Sequence, residues 1–316
     1  MMTPAVSIII CTRDRAESLD QTLKSFEAVN APAGLRPEIL VVDNGSTDHT
    51  PAVVRKHSVA KIPIRYLLES SPGQSKARNA GIAATRADVI LFTDDDVVPA
   101  PDWLESIAAP LLRRECDGVV GRIELAKEIC RSWMTPQHQI SLAVCDGPRE
   151  GVLQLVGANM GFHRSVLDRV PEFDVELGPG AFGFADDTLF SWQLVEAGFR
   201  LRFVPEASVI HRPDPARLTR SNWLAVGRKH GLSAAYVLHH WEHREISNPR
   251  LRSYRAGLKL LLRRMAQPPA PMGAEGIAPW EMSYVVEMEK CRQFIKERHR
   301  PRNYSKHGLR KRGQPT

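Results

Sequence analysis

The sequence lacks a long hydrophobic run, and this absence excludes an integral membrane protein. No apolar stretch of the 316 residues approaches the ~20 residues that a membrane-spanning helix requires. The apolar stretch VSIII near the start has neither the length nor the basic flank of a secretory signal. Both observations predict a cytoplasmic protein.

Cysteine is also scarce and shows no pattern. The chain has five cysteines, an odd number, and none of them stands in a CxxC pair or at a spacing typical of a metal site. A disulfide framework and a zinc site built from thiolates are therefore not expected. We interpret the five as reduced packing residues without a chemical role.

The composition is that of a globular protein with an uneven charge distribution. Hydrophobic residues make up 43% of the chain, enough for one large domain or two modest ones. The segment from His211 to the C-terminus has 22 Lys and Arg residues against 8 Asp and Glu residues, a net charge of +14. Since the whole chain carries +7, residues 1–210 carry −7, and the two parts are expected to differ in function.

Strand and helix patterns alternate in the first hundred residues. The β-branched run AVSIIICT precedes an amphipathic helical pattern, in which Asp14 and Glu17 have the spacing of a capping box. The run EILVVD precedes a second helix, which we expect to open through Ser46 or Thr47 with Pro51 in its first turn. Strands around IRYLLE and VILFT flank a third helix. This alternation predicts an α/β fold with a parallel sheet.

Polar clusters follow the first, second and fourth of these strands. They read CTRDR, DNGSTD and TDDD. Ligands of such sheets bind beyond the carboxyl ends of the strands, so the three clusters are expected to converge on one cleft.

The acidic triplet after the fourth strand is the most unusual of the clusters. Three adjacent carboxylates repel one another unless a cation shares the site. Because side chains alternate along an extended chain, Asp94 and Asp96 are expected to face one way and Asp95 the other. Oxygen ligands suit Mg²⁺ or Mn²⁺, and such ions bind diphosphate substrates. The alternative is a solvated turn with some helix capping.

Four stretches, taken in order, carry a resemblance to a known family. VSIIICTRDR, ILVVDNGSTD, GQSKARNAGI and ILFTDDDVVP resemble successive blocks of the family 2 glycosyltransferases, which are inverting enzymes with the GT-A fold. Later blocks extend the similarity over roughly residues 5–212. The resemblance implies a single nucleotide-sugar-binding α/β/α sandwich as the catalytic domain over residues 1–212. Residues 1–100 would form its nucleotide- and metal-binding half and residues 101–212 its acceptor half.

The resemblance also implies a donor site. Asp43 matches the position that binds the nucleobase, Thr12 and Arg13 would lie along the nucleotide, and Arg78 matches a basic position of the donor pocket. The residues leave alternatives open: Asp43 as the cap of the following helix, and Arg78 as a solvent-facing helix charge.

For the triplet, the family pattern assigns Asp94 to the ribose and Asp96 to a divalent cation, Mn²⁺ or Mg²⁺. Asp95 is counted with the donor-binding residues, although its role is left open. His211 matches a histidine that approaches the metal or the diphosphate, and a packing role is the alternative.

The acids of the sequence FADDTLF match the Glu-Asp pair of the family. Asp187 would then be the catalytic base, and Asp186 would stand where glutamate is commoner. Capping of the following helix is the alternative for both. Gly157 and Asn159 match a segment that borders the sugar and the acceptor, with close strand packing as the alternative for Gly157.

The function implied is that of a metal-dependent inverting glycosyltransferase. It would move a sugar from a nucleotide-diphosphate sugar, with UDP favoured, to a hydroxyl group of a carbohydrate, a lipid-linked acceptor or a small molecule in glycan, polysaccharide or glycolipid biosynthesis. One alternative is a nucleotidylyltransferase, although CTRDRAES lacks the glycine of its phosphate loop. Another is a noncatalytic protein that binds a nucleotide sugar, a membrane or nucleic acid.

The region 213–316 is predicted to be helical and basic, with a linker near residues 267–279 that is rich in proline and glycine. Its helix around Leu258 and Leu262 is both basic and amphipathic. Such a helix either contacts the inner face of a membrane or packs on the catalytic domain and exposes its charges to water. No nucleic-acid recognition motif accompanies the charge, so specific nucleic-acid binding is not expected.

Overall fold

The computed structural model describes residues 5–58, 60–148, 153–267 and 275–310. Within these residues the chain divides into two compact units. The first comprises residues up to 128 together with 142–175 and 186–212, and the second comprises 129–141, 176–185 and the residues from 213 onward.

The first unit contains one mixed sheet. Its strands are β1 (Val6–Thr12), β2 (Pro37–Asp43), β3 (Ile64–Leu68), β4 (Val89–Thr93), β5 (Val97–Pro99), β6 (Gly118–Leu125), β7 (Asn159–His163) and β8 (Leu201–His211). They are arranged in the order β3-β2-β1-β4-β7-β6-β8-β5. The first four positions of that order are parallel, as the sequence predicts, whereas β7 runs antiparallel to both β4 and β6.

Helices accompany the sheet in the first unit and make up most of the second. Those of the first unit are α1 (Ala16–Ser25), α2 (Thr50–Lys56), α3 (Gln74–Ala84), α4 (Trp103–Leu112) and α6 (Asp186–Glu196). Those of the second are α5 (Pro136–Ser141), α7 (Arg220–His240), α8 (Pro249–Ala266) and α9 (Pro279–Glu297). The predicted linker lies between α8 and α9, and its residues 268–274 fall outside the described residues.

The core of the first unit explains why the strands form where they do. The β-branched side chains of β1 and β2 are almost completely buried, with Ile8, Ile9 and Ile10 at 0% exposure. A strand covered on both faces needs a continuous apolar run rather than an alternating one. The runs of β1, β2 and β4 satisfy this requirement, and they end at the polar residues of the candidate site.

The starts of the first two helices differ from the sequence prediction. Asp14 and Glu17 form no capping box, since the residue before α1 has no side-chain cap and Asp14 accepts hydrogen bonds from the backbone and the hydroxyl of Thr47. The side chain of Asp48 serves the helix starts instead, because it accepts from the backbone N–H groups of Ala16 and Thr50. Helix α2 therefore begins at Thr50 rather than at Ser46 or Thr47.

No helix in the described part of the chain is both long enough and apolar enough to span a membrane.

Candidate functional site

The parallel strands bring three chain segments to one edge of the sheet. Thr12 at the end of β1 lies opposite Asp43 at the end of β2, and Ile10 of β1 lies opposite Thr93 of β4. The acidic triplet follows Thr93 directly. The predicted convergence at the carboxyl ends is therefore present in the fold.

Asp43 is buried, and both of its carboxylate oxygens have donors. Oδ1 accepts from the backbone N–H of Ser46 at 2.8 Å, and Oδ2 accepts from the hydroxyl of Tyr66 at 2.8 Å. Partial burial and this carboxylate raise the pKa of Tyr66 to about 12. The sequence prediction missed Tyr66, because a tyrosine on a third strand carries no local signal that it reaches β2.

The three acids of the triplet lie between β4 and β5, and Asp95 and Asp96 form a turn rather than the extended chain that the alternation assumed. Ligand atoms of Asp94, Asp96 and His211 all lie within 4.8 Å of one another. Asp95 is not part of this group, and its Oδ2 accepts a 2.6 Å hydrogen bond from the hydroxyl of Thr12. Thr12 thus holds Asp95 with its side chain, in addition to any backbone role along a nucleotide.

Arg15 neutralises part of the triplet and was not singled out from the sequence. Its Nη1 lies 2.7 Å from Asp95 Oδ1, and its Nη2 lies 2.6 Å from Asp96 Oδ2. Arg13, the predicted neighbour, has a side chain that is 51% exposed and lies 3.6 Å from the carboxylate of Asp14. The two arginines are two residues apart, and only the path of the chain after β1 decides which of them reaches the acids.

Burial makes it costly to keep all three acids ionised. Burial and the charge of Asp96 raise the pKa of Asp94, and burial raises the pKa of Asp95 to about 7 despite Arg15. Burial also acts to raise the pKa of Asp96, but His211 and Arg15 lower it below its usual range. Added positive charge would therefore stabilise the ionised form of the cluster.

The orientation of His211 fits a cation next to Asp96. Its Nδ1 lies 2.8 Å from the carbonyl oxygen of Leu142, which can only accept, so Nδ1 carries a proton. Nε2 lies 3.1 Å from Asp96 Oδ1, so the two groups form an ion pair when the imidazole is protonated, and the neutral imidazole presents a lone pair beside a second acceptor. A divalent cation with nitrogen and oxygen ligands would satisfy both atoms.

A second acidic group, Asp186 and Asp187, begins helix α6. The buried Asp186 forms an ion pair with Nη1 of Arg78. Burial raises the pKa of the Asp186 carboxyl, while Arg78 opposes the rise. Arg78 is 4% exposed, which excludes the solvent-facing alternative, and its guanidinium also lies 5.4 Å from the ring centre of Phe173.

Arg78 connects the two acidic groups electrostatically. Burial alone would lower the pKa of its guanidinium, but Asp186, Asp187 and Asp94 together raise it above the usual value. Asp94 of the triplet and the two carboxylates of α6 therefore all influence the same buried guanidinium, that of Arg78.

Asp187 is half-buried and held from both sides. Its Oδ2 accepts from the backbone N–H of Gly157 at 3.0 Å, and its Oδ1 accepts from the N–H of Thr188 at 2.7 Å. The second bond is a capping contact, so the capping alternative describes part of its role. The first is not, because it comes from the segment before β7.

Gly157 must be a glycine for a steric reason. A Cβ atom at this position would lie 1.9 Å from Nη2 of Arg78 and 2.9 Å from its Cζ. The close approach lets one backbone N–H reach Asp187 while the guanidinium beneath reaches Asp186. Gly157 therefore contacts Asp187 directly and leaves room for the arginine that binds Asp186.

We expect Gly157→Ala to lower the transferase activity that the resemblance implies at least about tenfold and the free energy of unfolding by about 1–3 kcal/mol, because the new methyl group displaces Arg78. Initial rates and thermal unfolding measure the two effects. Gly257→Ala is the control, since its methyl group would meet only Met288 at 3.5 Å. A Gly157→Ala protein as stable and active as the control would contradict this role of Gly157.

Asn159 lies at the start of β7, in the core of the first unit. Its side chain is fully buried, donates to the carbonyl oxygens of Arg122 and Ala207, and accepts from the indole N–H of Trp103. All of its polar atoms are engaged inside the protein. Its side chain therefore stabilises the packing around β7, and the position of this segment beside a sugar or an acceptor stays a prediction.

Comparisons with known proteins identify similar sequences and similar folds. The model of the family described as glycosyl transferase family 2 matches residues 7–170. Glycosyltransferase AglE of Haloferax volcanii is 28% identical over 220 residues, which cover 67% of this chain and 68% of AglE. The pre-mycofactocin glycosyltransferase of Mycobacterium tuberculosis is 29% identical over 238 residues, which cover 73% of this chain but only 47% of that relative.

Solved structures share the fold at low sequence identity. The mannosyltransferase PcManGT from Pyrobaculum calidifontis, in complex with GDP-Man and Mn²⁺, has a TM-score of 0.56 at 16% identity. The match covers 94% of this chain and 86% of the PcManGT chain. S. aureus TarS 1-349 in complex with UDP-GlcNAc has a TM-score of 0.53 at 14% identity, with 94% and 90% covered. At such identities the similarity establishes the fold alone.

Proposed function

Because this chain belongs to glycosyl transferase family 2, we propose that it transfers a sugar from a nucleotide-diphosphate sugar to a hydroxyl acceptor with inversion at the anomeric carbon. The observation that carries this proposal is the candidate cation site formed by Asp94, Asp96 and His211. A second carboxylate, Asp187, is close enough that it and Asp94 both raise the pKa of the buried Arg78. The first group suits a diphosphate and the second suits an incoming alcohol.

The donor site is proposed at the ends of β1, β2 and β4. Asp43 would accept a hydrogen bond from a ring N–H of the nucleobase, with Tyr66 and Ser46 holding the carboxylate in place. Thr12 and Arg13 would line the nucleotide, and Asp94 would reach the ribose or share in cation binding. UDP remains the favoured nucleotide, although the similar solved structures include complexes with UDP-GlcNAc and with GDP-Man.

Asp96 and His211, with Asp94 beside them, would hold Mn²⁺ or Mg²⁺. Bound there, the ion would supply Lewis-acid stabilisation of the negative charge on the departing nucleoside diphosphate. Arg15 and Thr12 would meanwhile keep Asp95 out of the cluster, because both bind its carboxylate. Leu142 fixes the imidazole with Nε2 directed toward Asp96.

Asp187 is the proposed general base. Its carboxylate would take the proton of the acceptor hydroxyl while that oxygen forms a bond to the anomeric carbon. The bond from that carbon to the diphosphate breaks on the opposite side, and its electron pair leaves with the diphosphate. Gly157 would orient the carboxylate, and Asp186, neutralised by Arg78, would support the start of α6.

A donor-hydrolysis assay across nucleotide sugars, with Mn²⁺ or Mg²⁺ and with a chelator, tests the proposed activity. Release of a nucleoside diphosphate that depends on the metal is expected. Release of pyrophosphate from a sugar phosphate and a nucleoside triphosphate would indicate a nucleotidylyltransferase. Tight donor binding without turnover would indicate a noncatalytic binding protein.

The acceptor and a cytoplasmic location at an inner membrane face remain predictions.

Asp96→Ala tests the cation site. We expect the affinity for UDP in the presence of Mn²⁺ to fall at least roughly tenfold, because one ligand of the ion is lost. Calorimetric titration of UDP with and without Mn²⁺ measures this, and the variant should lose most of the difference between the two titrations. Asp88→Ala, at the other end of β4, is the control. Equal Mn²⁺ dependence in Asp96→Ala and wild type would contradict the assignment.

A further inference from the structure

Helix α8 carries an apolar surface that no described part of the chain covers. Its buried side chains, at Ser253, Ala256 and Leu260, lie along the face that packs on α9. Its exposed apolar side chains lie on the opposite face, at Leu251, Tyr254, Leu258, Leu261, Leu262 and Met265, and each is between 43% and 74% exposed. We call these six residues the α8 stripe.

The spacing makes the α8 stripe continuous. At 100° per residue its members fall within an arc of about 100°, centred opposite Leu260. At 1.5 Å per residue it extends about 21 Å from Leu251 to Met265. Exposed apolar residues scattered singly need no explanation, but a patch of this length marks an interaction site.

The charges beside the stripe have one sign. Helix α8 contains six basic residues and no acidic residue. Arg252 and Arg264 form ion pairs with Glu287 and Glu281 on α9. Arg255 and Lys259, which border the stripe, are exposed and form no ion pair among the described residues.

From this arrangement we propose that the α8 stripe is a docking surface for an anionic lipid bilayer. The six apolar side chains enter the boundary between headgroups and acyl chains, and the basic border binds anionic headgroups. Tyr254 suits that boundary because its ring is apolar and its hydroxyl is polar. A second copy of the chain is a poorer occupant, because joining two such faces brings two basic borders together. This docking proposal uses no residue of the proposed catalytic site, so it does not depend on the transferase activity.

Vesicle co-sedimentation of the full chain tests the proposal. The wild type should bind phosphatidylcholine vesicles that contain about one third phosphatidylglycerol and bind pure phosphatidylcholine much more weakly. Arg255→Glu with Lys259→Glu should lower the partition coefficient by at least roughly 25-fold, since each basic residue near the surface contributes about fivefold. Leu258→Ser with Leu261→Ser and Leu262→Ser should lower it at least about tenfold.

Matched controls separate docking from total charge and total hydrophobicity. Lys24→Glu with Arg86→Glu makes the same change in net charge on the first unit, and Leu112→Ser with Val195→Ser removes exposed apolar side chains there. Both controls should bind as the wild type does. Thermal unfolding checks that the stripe variants are folded, and exposed positions should tolerate the changes.

Three results would overturn the proposal. The first is failure of the wild type to bind anionic vesicles, and the second is binding of the stripe variants as strong as that of the controls. The third is a wild-type dimer in sedimentation velocity that the stripe variants convert to a monomer, because a second copy would then cover the surface. Because these measurements do not involve a sugar donor, their outcome is distinguishable from a failure of the proposed function.

Discussion

Asp187→Asn should reduce sugar transfer by roughly 10²–10⁴-fold, the range that a general base contributes. The amide keeps the size of the side chain and can still accept from the N–H of Gly157, but it cannot take a proton from an alcohol. Donor affinity should stay within a few fold, because the proposed diphosphate site lies at the triplet. Initial rates of donor turnover and calorimetric titration of the nucleoside diphosphate measure the two quantities.

Glu196→Gln is the matched control for this variant. It removes a carboxylate from the last turn of the same helix, where the side chain is exposed. Its activity should equal that of the wild type. An Asp187→Asn enzyme with activity near that of the control would remove Asp187 from the catalytic role, and a parallel loss of donor affinity would instead place it in the binding site.

Arg78→Met should lower the free energy of unfolding by about 3–5 kcal/mol, because it leaves the buried carboxylate of Asp186 without its partner. The buried pair is supported by the ring of Phe173 and by the close backbone of Gly157. Chemical denaturation of both proteins measures the change. The resemblance places Arg78 in the donor pocket, and the structure adds that its Nη1 is engaged by Asp186.

The double variant Arg78→Met with Asp186→Asn distinguishes a broken ion pair from a general packing defect. It should recover a large part of the lost stability, because no uncompensated charge remains in the core. Arg113→Met, which removes an exposed arginine from its contact with Glu115, should change stability by no more than about 1 kcal/mol. Full stability of Arg78→Met would show that the pair contributes nothing to the fold.

Much of the first unit could be predicted from local sequence patterns. The runs that form β1, β2 and β4 are largely apolar because both faces of the sheet are covered, apart from the hydrogen-bonded Ser7 and Glu38, and they end in polar residues at the site. The sequence grouped Asp94 with Asp96 and set Asp95 apart, and the candidate cation cluster has the same grouping, although Asp95 and Asp96 lie in a turn rather than on an extended chain. The family resemblance assigned roles to these acids, and those roles remain predictions for the experiments above.

Other features could not be read in this way. The capping box of Asp14 and Glu17 was wrong, because the turn after β1 places Asp14 against Thr47 and leaves the start of α1 to Asp48. The antiparallel strand β7 has the same apolar character as a parallel one. Asn159 matches a segment that borders the sugar and the acceptor, and only the structure shows that its amide is hydrogen-bonded within the core.

By itself the sequence determined the strand and helix alternation, the acidic clusters at the strand ends and the basic amphipathic helix α8. Each of these depends on residues within about one turn or one strand of one another, so a local pattern is sufficient. Only the tertiary structure decided that Arg15 rather than Arg13 binds the triplet, and that Gly157 and Arg78 hold Asp187 and Asp186. These contacts join residues up to 108 positions apart. Their geometry exists only after the strands have paired, because pairing sets the distance at which one charge meets another.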